Sequence, residues 1–289
     1  MRIVATADLH YNIPRSVVPT EHVAAKINRL GGDALLILGD ACGRDLGILR
    51  RCFSLFEHFP GQVFFVAGNH DIWTYGQDSL VRYEKEIADL CREAGVWYLD
   101  AEPYVAGGVA IVGCMGWYDY SFRQRELGIP IRFYERKVGP GAAARMDEHR
   151  HLVEGHDDLP ASALEVTTRW MDGVFVRLPM MDHEFTRRLC DQLAGQLRAV
   201  EPQVDQIVVG MHHVPFASMV KGSGRPSYDF ANAFMGSTRF GDLLLASPKV
   251  RHMVCGHSHN RQHVQCGHIA CVNVGSTYLS KRYVVLDVD

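Results

Sequence analysis

The sequence predicts an α/β protein built from two stacked mixed β-sheets with helices on their outer faces. Two observations carry that expectation. The first half of the 289-residue chain alternates apolar, strand-like runs with helical ones, and its last part is rich in strands. In addition, five of the apolar runs end in side chains of metal-ligand type. Functional residues gather beyond the carboxyl ends of strands in open α/β sheets.

Taken in order, the first strand spans about 2–6. A helix follows over about 18–30, with Thr20 and Glu21 near its start and Gly31-Gly32 at its end. The second strand covers about 34–38, and a helix over 46–56 has Asp45 as its N-cap. The run Val63-Phe64-Phe65-Val66-Ala67 reads as a buried third strand, and a helix over 79–94 ends at Gly95. Short strands are expected at 96–99, 103–106 and 109–112, the last two joined as a hairpin by Gly107-Gly108. Towards the C-terminus, strands fit 206–211, 250–255, 262–265, 269–274 and 282–288. The segment of about 115–181 breaks the rhythm. It is rich in Arg, His, Asp and Glu and shows no strong strand between 115 and 167. It reads as a partly helical insertion in a single domain of 1–289, folded over the strand ends as a lid, with a helix over 183–200 returning to the scaffold. The plainer alternative is a peripheral decoration.

Composition narrows the class. The chain is 47% apolar and 22% charged, ordinary for a soluble globular protein. A net charge of −3 gives no broadly basic face for nucleic acid. No apolar run approaches the roughly 20 residues of a membrane span. The first strand begins at Arg2, which leaves no room for a signal peptide. Eight cysteines are scattered without a CxxC pair and read as reduced core thiols, so a cytoplasmic location is expected.

The chemistry lies at the strand ends. They carry Asp8-Leu9-His10, Gly39-Asp40, Gly68-Asn69-His70-Asp71, His212-His213 and Gly256-His257-Ser258-His259. Residues two apart in extended chain point to the same side, so Asp8 with His10, and His257 with His259, can each aim a pair of side chains into one cleft. Asp40 can bridge two cations through its two oxygens, and Asn69 offers a neutral amide oxygen. Oxygen and imidazole donors without thiolate suit Mn, Fe, Zn, Co or Ni. A set of seven is large for one ion and right for two.

These motifs, in this order and spacing, resemble those of the calcineurin-like metallophosphoesterases over about 1–113 and 203–289. The resemblance implies a four-layer α/β/β/α sandwich and a binuclear centre of divalent or trivalent ions. It implies that Asp8, His10, Asp40 and His259 hold one ion and that Asp40, Asn69, His212 and His257 hold the other. It makes His70 the catalytic non-ligand histidine, oriented by Asp71. Asn273-Val274-Gly275-Ser276 is similar to the family's Asn-Pro-Gly-Ser, with Val in place of Pro. Either of His212 and His213 has the right chemistry to be the ligand; the family binds through the first, which leaves His213 to face substrate. Arg44 stands at the spacing of a phosphate-binding arginine of protein phosphatases, yet Ala67 occupies the place of the second arginine those enzymes use. In Gly116-Trp117-Tyr118-Asp119-Tyr120-Ser121-Phe122-Arg123, Tyr118 and Arg123 are candidates for stacking and phosphate pairing, or else the packed root of the lid. His149, His151 and His156 lack ligand spacing and read as solvated.

The implied activity is hydrolysis of a small phosphodiester or phosphomonoester by attack of a metal-bridging hydroxide. The alternatives are a nuclease of the same fold, disfavoured by charge, and a catalytically weak metal-binding scaffold for protein interaction, disfavoured by the complete ligand set. The expected partner is a small phosphorylated substrate, with no membrane and no strong sign of nucleic-acid binding.

Overall fold

Successive side chains of the central strands enter different cores. In the computed structural model, which describes residues 1–288, Ile3, Leu36, Leu38, Phe64 and Val66 pack against Ile111, Val208 and Val254 between two sheets. Their neighbours Val4, Leu35, Ile37 and Phe65 face outwards onto helices. The first sheet has the order β11-β1-β2-β3-β4, with β1 Arg2–Thr6, β2 Ala34–Leu38, β3 Gln62–Val66, β4 Trp97–Tyr98 and β11 Tyr283–Asp287. The second has the order β5-β6-β7-β8-β10-β9, with β5 Tyr104–Ala106, β6 Val109–Cys114, β7 Gln206–Met211, β8 Val250–Cys255, β9 Gln262–Cys266 and β10 Ile269–Asn273. Each sheet is mixed: β11, β5 and β9 run antiparallel to their neighbours and the other pairs are parallel. The two sheets with helices outside make the expected sandwich.

Helices α1 Pro14–Leu30 and α2 Leu46–Ser54 cover the first sheet, together with a third, α3, over 79–93. Helices α4 Asp182–Val200 and α5 Thr238–Ala246 pack beside the second. Asp45 caps α2 by accepting from Gly47 N–H, as expected. Helix α1 starts four residues before the expected boundary, because Pro14 at its first turn needs no N–H partner. Thr20 is therefore not at its start; its hydroxyl donates to the Leu9 carbonyl at 2.8 Å and pins the helix under the Asp8–His10 loop. Helix α5 had no counterpart among the expected elements. Within α3, Arg82–Glu86 is wound as a π-helix. Its buried Arg82 guanidinium donates to the carbonyls of Gly43, Arg44 and Trp73, joining the loops that follow β2 and β3.

The 115–181 segment carries no strand among the described residues, only an isolated bridge between Val138 and Arg169. All eight cysteines are free, and all but Cys190 are buried. No helix of the described residues is long and apolar enough to cross a membrane.

Asp100, just beyond β4, clamps the ends of β3 and β6. Its carboxylate accepts from Ala67 N–H at 2.8 Å, the Tyr83 hydroxyl at 2.8 Å and Met115 N–H at 2.5 Å. Burial pushes its pKa up to about 6. The folded chain thus holds this proton more tightly than the unfolded one, so its contribution to stability falls as pH rises from about 4 to 6 and is flat above. Asp100→Asn should cost about 1–3 kcal/mol by setting an amide N–H against the Ala67 N–H. The gap between parent and variant in urea denaturation should narrow over that pH interval; a gap independent of pH would contradict the assignment.

Candidate active site

The ends of β1, β2 and β3 in one sheet and of β7 and β8 in the other meet at one edge of the sandwich. There the backbone is strained. Asp8, His10, Asp40, His257 and His259 have φ of 57°, 44°, 53°, 66° and 53°, and only Tyr120 and Lys137 share positive φ among the other described non-glycine residues. Each such residue costs roughly 1–3 kcal/mol and persists only where its surroundings hold it. The loops hold one another. Asp8 N–H donates to the Gly39 carbonyl, and His10 N–H to the Asp40 carbonyl. His257 N–H reaches the Asp8 carboxylate across the two sheets at 3.0 Å. A Cβ at Gly68 would lie 2.3 Å from Asp40 Oδ1, so only glycine lets these loops approach.

The side chains form two sets that share Asp40. In the first, His10 Nε2 lies 3.3 Å from His259 Nε2 and 3.6 Å from Asp40 Oδ2, and His259 Nε2 lies 3.5 Å from Asp8 Oδ1. In the second, His212 Nε2 lies 3.2 Å from Asn69 Oδ1, 3.4 Å from Asp40 Oδ1 and 3.1 Å from His257 Nδ1. The other ring nitrogens fix the tautomers of the second set. His212 Nδ1–H donates to the Leu38 carbonyl at 3.0 Å, and His257 Nε2–H to the Phe234 carbonyl at 3.1 Å. The two nitrogens that face each other then both carry lone pairs, beside two oxygens that also only accept. Such a convergence is repulsive on its own and is what a cation neutralises. Burial holds His10 and His257 well below the usual imidazole range, keeping them neutral and ligand-competent. Burial and the charges of Asp71 and Asp8 push Asp40 well above the usual carboxylate range. The donor set fits two hard or borderline cations.

His70 stands beside both sets. Its Nε2 is 3.8 Å from Asp40 Oδ2, and its ring stacks on Trp73 at 3.8 Å. Asp71 does not orient it, contrary to the expectation. Asp71 is turned beneath the site, where Oδ2 accepts from Asp40 N–H and Gly68 N–H and Oδ1 from Cys42 N–H, each at 2.8 Å. His70 Nδ1 has no partner among the described residues.

The site opens into a cavity of about 730 Å³. Asp40, Asn69, His70, His257 and His259 form its floor. Trp73, Trp170, Tyr228 and Tyr278 form its aromatic walls, and Arg169 and Lys221 add positive charge. From the 115–181 segment only Arg169, Trp170, Met171 and Asp172 line the cavity, together with residues of the stretch from Lys221 to Met235. The candidate substrate residues lie elsewhere. Tyr118 is fully buried, with its hydroxyl on Asp172. Arg123 bonds the Tyr120 carbonyl. Arg44 lies over the rings of Tyr75 and Phe175. His213 is fully buried, donating Nδ1–H to the Met115 carbonyl at 3.1 Å behind the His257 ring. None of the four lines the cavity. Asp172, Trp170 and Tyr278 had no sequence signal; Trp73, three residues after His70, was within reach of one.

The family model for calcineurin-like phosphoesterases matches residues 1–261. Among solved structures, the chain is similar to a phosphopantetheinyl hydrolase from Mycobacterium tuberculosis, at 20% identity and TM-score 0.65 over 96% of this chain and 89% of that one. It is also similar to a dimetal phosphatase from Danio rerio, at 14% identity and TM-score 0.54 over 99% and 91%. At these identities the likeness concerns the fold. No curated protein matches the chain by sequence.

Proposed function

The chain belongs to the calcineurin-like phosphoesterase family, and on that premise we propose that it is a metal-dependent hydrolase of small phosphate esters, monoester or diester. One observation carries the reading: two sets of oxygen and imidazole donors share the Asp40 carboxylate at the floor of a cavity far larger than a phosphate group. Asp8, His10, Asp40 and His259 would hold one ion, and Asp40, Asn69, His212 and His257 the other. Such a pair of ions, Mn, Fe, Zn, Co or Ni in chemistry, lowers the pKa of water towards neutrality and neutralises phosphoryl charge. The protein's own residues do the rest. The loops at the strand ends, five of whose residues are strained, hold eight side chains in place before substrate arrives, so little reorganisation remains for the reaction. Burial holds His70 down to about 3, so it works as a neutral imidazole that donates a hydrogen bond to the leaving-group oxygen. Trp73, Trp170 and Tyr278 line the cavity where the alcohol portion of the ester would sit, while Arg169 and Lys221 attract its anionic groups. The eight free thiols support a cytoplasmic location.

Turnover of p-nitrophenyl phosphate and of its bis ester, each with Mn, Ni or Zn and with a chelator, tests the reading and ranks monoester against diester. Turnover that depends on metal is expected; none with any metal would favour a binding scaffold. His70→Ala should lower turnover by about 10²-fold or more while metal content stays at the parent level. Loss of metal in that variant would instead make His70 a ligand.

A further inference from the structure

Asp172 belongs to no strand end, yet it touches both parts of the site's machinery. Its carboxylate is buried, at 1% exposure. Oδ1 accepts from the Asn69 side-chain amide at 2.9 Å and from Trp73 Nε1 at 2.7 Å. Oδ2 accepts from the Tyr118 hydroxyl at 2.9 Å and from Trp170 Nε1 at 2.7 Å. Four donors occupy the acceptor sites of the two oxygens, so the group is fully used. An asparagine side chain can turn over and exchange its oxygen with its NH2. An acceptor at Nδ2 permits only one setting, the one that leaves Asn69 Oδ1 3.2 Å from His212 Nε2. The same carboxylate oxygen holds the Trp73 indole on which His70 stacks at 3.8 Å.

We propose that Asp172 is a positioning residue that couples the 115–181 segment to the second ion, by fixing Asn69 with its oxygen towards that ion. The inference rests on Asn69 being a ligand, as proposed above. Coupling is reciprocal: whatever the docked segment adds to the affinity for the ion, the ion returns to the docking of the segment.

Mn2+ binding to the full chain, counted and titrated by calorimetry, tests it. In Asp172→Asn the new NH2 must face one pair of donors, of which tryptophan cannot accept. It faces Asn69 and Trp73, because Asn69 can turn over to accept from it and then donates Nδ2–H to the His212 Nε2 lone pair, whereas facing Tyr118 would cost that hydroxyl its acceptor. The affinity for the second ion should fall about 10- to 100-fold while the first is unchanged. Tyr118→Phe removes a buried hydrogen bond from the same carboxylate without touching Asn69, and should leave both affinities at the parent level. Asn69→Ala should weaken the second ion, and adding Asp172→Asn to it should weaken it no further. In hydrogen exchange, Mn2+ should slow the peptides around 168–178 in the parent but not in Asp172→Asn. Parent-like binding of both ions by Asp172→Asn would overturn the inference, as would an equal loss in Tyr118→Phe. Parent-like binding by Asn69→Ala would overturn the ligand assignment itself, and the coupling with it. Should Asp172→Asn fail to fold, the unaltered chain decides. One Asn side-chain amide proton, absent in Asn69→Ala, should be protected from exchange, and rapid exchange of it would overturn the proposal.

Discussion

Asp40→Ala is expected to abolish binding of both ions and to lower turnover of p-nitrophenyl esters by about 10³-fold or more. The size follows from its place in both sets. Oδ1 lies 3.4 Å from His212 Nε2 and Oδ2 lies 3.6 Å from His10 Nε2, and Oδ1 also accepts from His70 N–H at 2.9 Å. Among the described residues, no other carboxylate lies within 4 Å of an imidazole nitrogen of both groups. Losing metal assistance worth about 4 kcal/mol of barrier corresponds to about a thousandfold in rate. Stability should move the other way. Asp40 sits buried beside the charges of Asp71 and Asp8, which together push its pKa well above the usual range. Asp40→Asn keeps an oxygen for the His70 N–H and removes that repulsion. Its metal-free Tm should therefore equal or exceed the parent's, while the rise in Tm on adding Mn2+ should largely vanish. Metal analysis, turnover and thermal melts on the two variants check this together. Turnover within tenfold of the parent in Asp40→Ala would sink the binuclear reading.

The parts of this molecule that were legible in the sequence are those fixed locally. Ala34–Leu38 is an unbroken apolar run between Asp33 and Gly39, and the strand begins and ends where the run does; Ile207–Met211 makes up all of its strand but the first residue, Gln206. Asp8, His10, Asp40, Asn69, His70, His212, His257 and His259 each lie within four residues of a strand's end, so the fold class alone brings them together. Tyr118 also follows a strand, but the same local pattern describes a residue aimed into a cavity and one aimed into a core. Only the packing of Trp117, Phe234 and Asp172 around it decides. Helix α5 was hidden because Gly241 weakens its pattern; the glycine is there because a Cβ would lie 2.6 Å from the Pro215 carbonyl. Asp172 and Trp170 reach the site from about a hundred residues beyond Asn69 through irregular chain, and nothing in their surroundings along the sequence marks them.

Asp71→Asn separates two accounts of the residue after His70. Were Asp71 an orienting partner of His70, the variant would mimic His70→Ala, slow but fully loaded with metal. The contacts predict another outcome. Both Asp71 oxygens are committed to three buried backbone N–H groups, those of Asp40, Gly68 and Cys42. These bonds hold the Asp40 backbone at φ 53° and fasten the loop after β3 to the loop after β2. An amide at position 71 turns an N–H towards at least one of those donors, and each unsatisfied buried donor costs about 1–3 kcal/mol. The expected loss in unfolding free energy is about 2–4 kcal/mol for the metal-free chain, larger than a typical substitution. Because the strained loop is released, the affinity for both ions should fall together, unlike the one-sided loss expected for Asp172→Asn. Urea denaturation of the metal-free variant and Mn2+ titration give the two readings. A variant with parent stability, two tightly bound ions and turnover reduced about 10²-fold would restore Asp71 to the role of orienting His70.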